Sequence, residues 1–203
     1  MDKVTLYGSE HFPIPDDCSE VFSWLSCTDM LPCFPTFSAV WSTAVDALRD
    51  RVRPLAVVVR EAGMLTVWIT LGQQADALIL EAFHAGDYIR ALLLNTLADR
   101  VLFRMDETVV RLVREQLRAE DMFIGARLEP AVDFDLTAEH IASVHAVLPE
   151  AGLSSAHSLT PSKSMLFCLT LAPHECMTTG LHDCSRCSQQ LCPYRGAKGR
   201  TIG

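Results

Sequence analysis

Positive charge is scarce in this 203-residue chain, where 17 Lys and Arg stand against 25 Asp and Glu for a formal net charge of −8. A field of that sign repels a phosphate backbone, so no nucleic-acid partner is expected. Long apolar runs are also missing. None approaches the roughly 18 residues that read as a membrane span, and the opening Met1-Asp2-Lys3-Val4 lacks the charged-then-apolar order of a secretory leader. The expected setting is cytoplasmic, with no membrane partner. The familiar catalytic signatures H-E-x-x-H, G-x-S-x-G, G-x-x-x-x-G-K-[ST] and G-x-G-x-x-G do not occur, which removes the usual grounds for a zinc protease, a serine hydrolase, a P-loop enzyme or a dinucleotide fold. Internal repeats, heptad arrays and low-complexity stretches are absent as well.

What remains suits one ordinary core: 49% hydrophobic and 21% charged residues can bury enough apolar surface to offset chain entropy. Residues 1–35 read as irregular apart from a strand over Lys3 to Tyr7, because Pro13, Pro15, Pro32 and Pro35 interrupt every apolar piece. Phe37, Val40, Trp41, Ala44, Val45 and Leu48 recur at helical spacing within Thr36 to Val52, and Pro54 stops that helix. Leu55 to Val59 and Leu65 to Leu71 are β-branched runs around a Gly-containing loop, which predicts an antiparallel hairpin.

Helices are predicted over Gln74 to Ala85 and Tyr88 to Ala119, with Gly86-Asp87 as the break and cap. A strand follows from Met122 to Leu128, a helix from Thr137 to Leu148, and a second strand pair from Leu153 to Leu159 and Ser164 to Leu171. Strands and helices in blocks point to an α+β fold. The spans divide as 1–54, an N-terminal segment and helix packing on the main domain; 55–173, the main domain; and 174–203, a cysteine-rich tail.

Eight cysteines are many for a reduced compartment, where clustered thiols bind metal or do redox work. The tail reads Cys176-x7-Cys184-x2-Cys187-x4-Cys192-Pro193, with His174 and His182 nearby. A C-x2-C step turns two thiolates onto one centre, a third close by makes a sulfur nest, and Cys-Pro ends many ferredoxin-type runs. An iron–sulfur cluster on Cys176, Cys184, Cys187 and Cys192 is one reading. A structural zinc on the last three with Cys176 or His182 is another, and plain thiols are the third. Cys168 lies within an apolar strand and reads as core. Cys18, Cys27 and Cys33 lack ligand spacing, although an irregular segment can bring them to the same centre.

His140 and His145 lie five apart on a helix, off a common face, and read as structural. Glu129, Asp133 and Asp135 form an acidic patch beside Arg127, yet Asp135-Leu136-Thr137 ahead of a helix reads more simply as a cap. Lys163, in the Pro161-Ser162-Lys163-Ser164 turn, reads as a solvated cation.

The order of short motifs adds a resemblance. Thr70-Leu71-Gly72, Ala85-Gly86-Asp87-Tyr88, L-x-x-L-A-D at 94–99, a long helix, Arg-x-x-Pro at 127–130, D-x-D-L at 133–136 and P-S-K-S at 161–164 follow one another. Over residues 55–173 this resembles the activation domain of cobalamin-dependent methionine synthase, and more closely the small stand-alone proteins similar to that domain. The resemblance implies a C-shaped α+β domain with a twisted antiparallel sheet. It implies S-adenosylmethionine as cofactor, and a corrinoid-binding protein or cobalamin-dependent methyltransferase as partner, the cobalamin being held by that partner. The cofactor positions carried over are Arg127, Pro130 and Ser164. Ala131 and Val132 stand where the family has Gly and Tyr, replacing a residue free to take positive φ and an aromatic face.

Taken with the tail, the resemblance points to an accessory protein that reactivates a corrinoid reductively, with an iron–sulfur centre passing the electron. An S-adenosylmethionine-like binding module, or an assembly factor, with a zinc-stapled tail is the alternative.

Overall fold

Alternation in the β-branched runs builds the middle of the molecule. In the computed structural model, which describes residues 3–61, 63–130 and 132–186, β1 (Lys3–Tyr7), β2 (Leu55–Glu61), β3 (Met64–Thr70), β4 (Phe123–Leu128) and β7 (Ser164–Ala172) form one five-stranded sheet. Its order is β1-β2-β3-β7-β4, and every pairing is antiparallel. The hairpin runs on to the pair Glu61 and Met64, longer than the strands expected from the sequence.

Because side chains alternate along a strand, the sheet has two apolar faces. Val58, Val67 and Phe167 share a register row on one, and Val57, Trp68 and Leu166 share a row on the other. The first face packs beneath α2 (Phe34–Arg51), α3 (Gln73–His84) and α4 (Tyr88–Arg118). The second packs beneath α5 (Ala138–His145), through Ile141 and Val144. This is the α+β architecture that the block order implied.

The 31-residue α4 presents Leu93, Leu97, Val101, Met105, Val109 and Leu117 as a buried stripe, and the Asp87 carboxylate caps it by accepting from the Arg90 N–H at 3.1 Å. Gly86, at φ +76°, makes the left-handed exit from α3 that a side chain would oppose. No helix among the described residues is long and apolar enough to cross a membrane.

Three expectations need correction. The N-terminal segment is not irregular after its first strand: α1 (Ser19–Trp24) forms there and buries Val21 and Phe22. Six residues are too few to show a period, which is why the sequence hides it. Leu153 to Leu159 is not a strand pairing with Ser164 to Leu171. Instead β5 (Gly152–Leu153) and β6 (Leu159–Thr160) make a small hairpin of their own, while β7 inserts between β3 and β4. Finally, Lys163 is no solvated cation, since its ammonium lies 2.6 Å from Asp99 with the side chain 11% exposed.

Candidate functional site: a cleft over the β4 bulge

The site begins with one extra residue. Ile124 pairs with Leu171 and Arg127 with Leu169, so β4 spends three steps where β7 spends two. A bulge of this kind shifts the alternation by one. Ile124 already faces the helix layer, and regular alternation would send Arg127 outward; the bulge turns it in. Gly125 permits it, since a Cβ there would lie 2.6 Å from the Thr170 hydroxyl oxygen. That hydroxyl instead accepts from the Ala126 N–H at 2.7 Å.

Turned inward, the Arg127 side chain is only 6% exposed. Its guanidinium carbon lies 3.7 Å from the centre of the Phe167 ring. Nε donates to Glu129 at 2.6 Å, while one Nη donates to Asp106 at 2.6 Å and to the Gly180 carbonyl at 3.2 Å. Asp106 belongs to α4 and is fully buried. A buried guanidinium with two carboxylates and a ring face is held by charge-assisted hydrogen bonds and a cation–π contact.

The Gly180 carbonyl belongs to a strap. Residues 174–186 cross α4 and β4, pinned by Arg118–Glu175 at 3.3 Å, Arg114 to the Thr179 carbonyl, His182–Glu129 at 2.6 Å and Arg186–Asp133. Gly180 sits at φ +64° against Val110 and Ile124. Between strap and bulge lies a cleft of about 500 Å³, lined by Arg127, Glu129, Asp133, Thr178, His182 and Arg186 among others. Both charge signs meet there, so it suits a zwitterionic or mixed-polarity ligand rather than a simple anion. Burial would raise the Glu129 carboxyl, but the His182 hydrogen bond and the Arg127 charge outweigh it and hold the group below the ordinary carboxylate range.

Of the other expected cofactor positions, Pro130 follows β4, bridges to Phe134 and is partly exposed. Ser164 starts β7 and donates to the Thr70 hydroxyl at 2.8 Å. Arg127 pairs opposite Leu169, so Ser164 lies about 17 Å along the strand from that register point at ~3.3 Å per residue. The structure does not bring Ser164 to the cleft. The P-S-K-S turn instead docks on the helices, with Ser162 on Asp76 and Lys163 on Asp99.

Among the expected metal ligands, Cys176 is exposed and Cys184 half-buried on the strap, whereas Cys187 and Cys192 lie outside the described residues. Among the described residues no three His, Cys, Asp or Glu side chains converge as a metal site. Cys168 is buried and its thiol is pushed up by that burial. His140 meets the Thr137 hydroxyl at 2.9 Å as part of the α5 cap, and His145 the Ala151 carbonyl at 2.8 Å.

Sequence reasoning missed Asp106 and the strap. Asp106 had a readable signal, a carboxylate next to Met105 on the apolar side of a long helix. The strap had none, because it carries no hydrophobic period.

A single antiparallel five-stranded sheet with a long helix across one face, a short helix on the other and a bulged edge strand defines the class: an α+β domain with its cleft at the β4 edge. Among solved structures, this fold is similar to the reactivation domain of MetH, determined with AdoHcy bound, at a TM-score of 0.55 and 15% identity over 92% of this chain and 83% of that one. At that identity the likeness is one of fold. No protein-family model matches the chain, and no curated protein does.

Proposed function

We propose that this chain is an accessory protein for the reductive reactivation of a corrinoid protein or cobalamin-dependent methyltransferase. The observation that carries the reading is the fold shared with the MetH reactivation domain over 92% of the chain. In this reading Cys176, Cys184, Cys187 and Cys192 hold an iron–sulfur cluster, which supplies single electrons when bound. Cys176 and Cys184 stand on the strap, residues 174–186, and from there would supply two of the thiolates. The described donors alone do not make a complete site, and in this reading Cys187 and Cys192 would supply the remaining thiolates.

Anaerobic reconstitution with iron and sulfide, followed by elemental analysis and EPR, tests the redox part. Stoichiometric iron, a reducible signal and its loss in Cys187→Ala are the expected results; stoichiometric zinc without iron overturns it. Reduction and methylation of a Co(II) corrinoid protein, compared with and without the chain, tests the role itself.

A second reading has support of its own: the neighbour was determined with AdoHcy, and the 500 Å³ cleft has mixed charge. Here the chain is an S-adenosylmethionine-like binding module with a zinc-held tail. Two of the Arg127 donor groups are already committed to Asp106, Glu129 and Gly180, so a ligand has to meet the remaining edge of the guanidinium or displace the strap. The identity of the metal, iron or zinc, distinguishes this reading from the first, and calorimetry with S-adenosylmethionine distinguishes a binding module from an assembly factor.

A further inference from the structure

The hairpin of α3 and α4 buries one side, through Leu78 and Leu94, and leaves an apolar corner on the other. Residues three or four apart on a helix share a face, so Leu80 joins Phe83 on α3 and Tyr88 joins Leu92 on α4. These four point outward, at 53%, 55%, 63% and 43% exposed. The turn at Gly86 brings the two pairs together, and the Phe83 and Tyr88 rings meet edge-on with 5.4 Å between their centres. Elsewhere on the described surface, exposed large apolar side chains come singly or in pairs.

We propose that this corner is a self-association surface, on which a second copy of the chain docks about a two-fold axis. Charge favours that occupant. The chain carries −8 overall, so two copies repel each other wherever that charge is exposed. Here it cancels: between Leu80 and Leu92 the charged residues are Glu81, Asp87 and Arg90, and Arg51 reaches Glu81 from α2 at 2.8 Å, giving two of each sign. The arrangement is also self-complementary. An axis between the two rings sets Phe83 of each copy against Tyr88 of the other, which carries the edge-to-face aromatic contact across the interface. Area agrees. At about 200 Å² for each large side chain, the exposed fractions come to roughly 400 Å² per copy. A two-fold contact therefore covers about 800 Å² of apolar surface, and its polar rim brings the total to the ~1,200 Å² at which specific interfaces begin.

An interface of that size holds a reversible dimer. Because net repulsion opposes it, salt should strengthen it by screening, whereas a partner held by opposite charge would bind more weakly as salt rises. The inference rests on the helical hairpin alone and does not depend on what the tail or the cleft binds.

The test is sedimentation equilibrium of the full chain under reductant, which removes disulfide-linked pairs. The weight-average mass is expected to climb from 22.4 kDa towards twice that value between ~1 μM and ~1 mM, and to be higher in ~0.5 M than in ~0.05 M salt. Phe83→Lys combined with Leu92→Lys, both at exposed helix positions, should hold the chain at the monomer mass with an unchanged far-UV circular dichroism spectrum. Tyr88→Ala reads the surface separately and should weaken association about tenfold. Leu6→Lys, on the exposed edge strand β1, should leave association as it is. A monomer mass across the whole range overturns the proposal. So does association that survives the folded double variant, is lost in Leu6→Lys, or weakens with salt. A monomeric chain whose double variant loses its hold on a corrinoid protein would give the corner to that partner and overturn it as well.

Discussion

Arg127 and Asp106 form an ion pair whose members are 6% and 0% exposed at the side chain. In such a place, removing one partner costs more than the pair contributes, because a charge is stranded in the core. Arg127→Ala should therefore destabilise the fold by about 3–5 kcal/mol, read from urea denaturation. Arg127→Met combined with Asp106→Leu should recover most of that loss, since two apolar groups of similar length leave nothing stranded. An unchanged deficit in the double variant would mean that the cation–π contact with Phe167 and the Glu129 bond carry the energy.

Glu129 makes a pH prediction at the same scale. Its carboxyl is depressed in the folded chain despite burial. Its contribution is therefore fully present above the ordinary carboxylate pKa of roughly 4.3 and is lost as pH falls through the lower folded value. The strap should loosen on acidification in that window, seen as faster amide exchange over residues 174–186, and Glu129→Gln should remove that acid-dependent step. Arg127 itself was readable from its motif. Its inward direction was not, because one inserted residue reverses a side chain's face and no composition signal announces it.

The elements that were legible are those with a strong period: α4 from its apolar stripe, the β2–β3 hairpin from its β-branched runs, and the cap at Asp87. The misread ones depend on partners far away in the chain. The β7 strand lies between β3 and β4, about 100 and about 40 residues earlier in the chain, and strand pairing at such separation is decided by burial on both faces and not by local pattern. The strap is the extreme case, held by side chains of α4, β4 and the segment after it.

Gly180 is its tightest point, at φ +64° with Val110 and Ile124 side-chain atoms 3.2 and 3.3 Å from where a Cβ would sit. Gly180→Ala combines left-handed strain of about 1–2 kcal/mol with that crowding. Exchange protection should fall over residues 174–186 while β7 amides keep theirs. Equal loss in both would show that the strap is integral to the sheet's stability.

At the scale of the whole molecule, the segment up to residue 54, read from the sequence as packing on the main domain, shares its core. Tyr7, Phe12, Phe22, Phe37, Trp41 and Leu48 share one continuous core with Leu93, Leu97, Val101 and Phe167. The β1 strand is an edge of the sheet, tied to the end of α4 by Glu120, whose carboxyl is lowered to about 2 by hydrogen bonds from Lys3 and Arg60. A chain starting at residue 55 would lose α2 from above α4 and leave the apolar face of β2 uncovered at its outer edge.

Burying a large apolar side chain is worth about 1.5–3 kcal/mol, and the N-terminal segment removes at least Phe22, Phe37, Trp41 and Leu48 from water. That sum rivals the 5–15 kcal/mol by which ordinary domains are stable. The fragment 55–203 should therefore fail to show a cooperative thermal transition by circular dichroism, and co-expressed residues 1–54 should restore it. A fragment that melts cooperatively alone would show that the fold shared with the MetH reactivation domain resides in residues 55–173 without the N-terminal helix, strand and aromatic cluster.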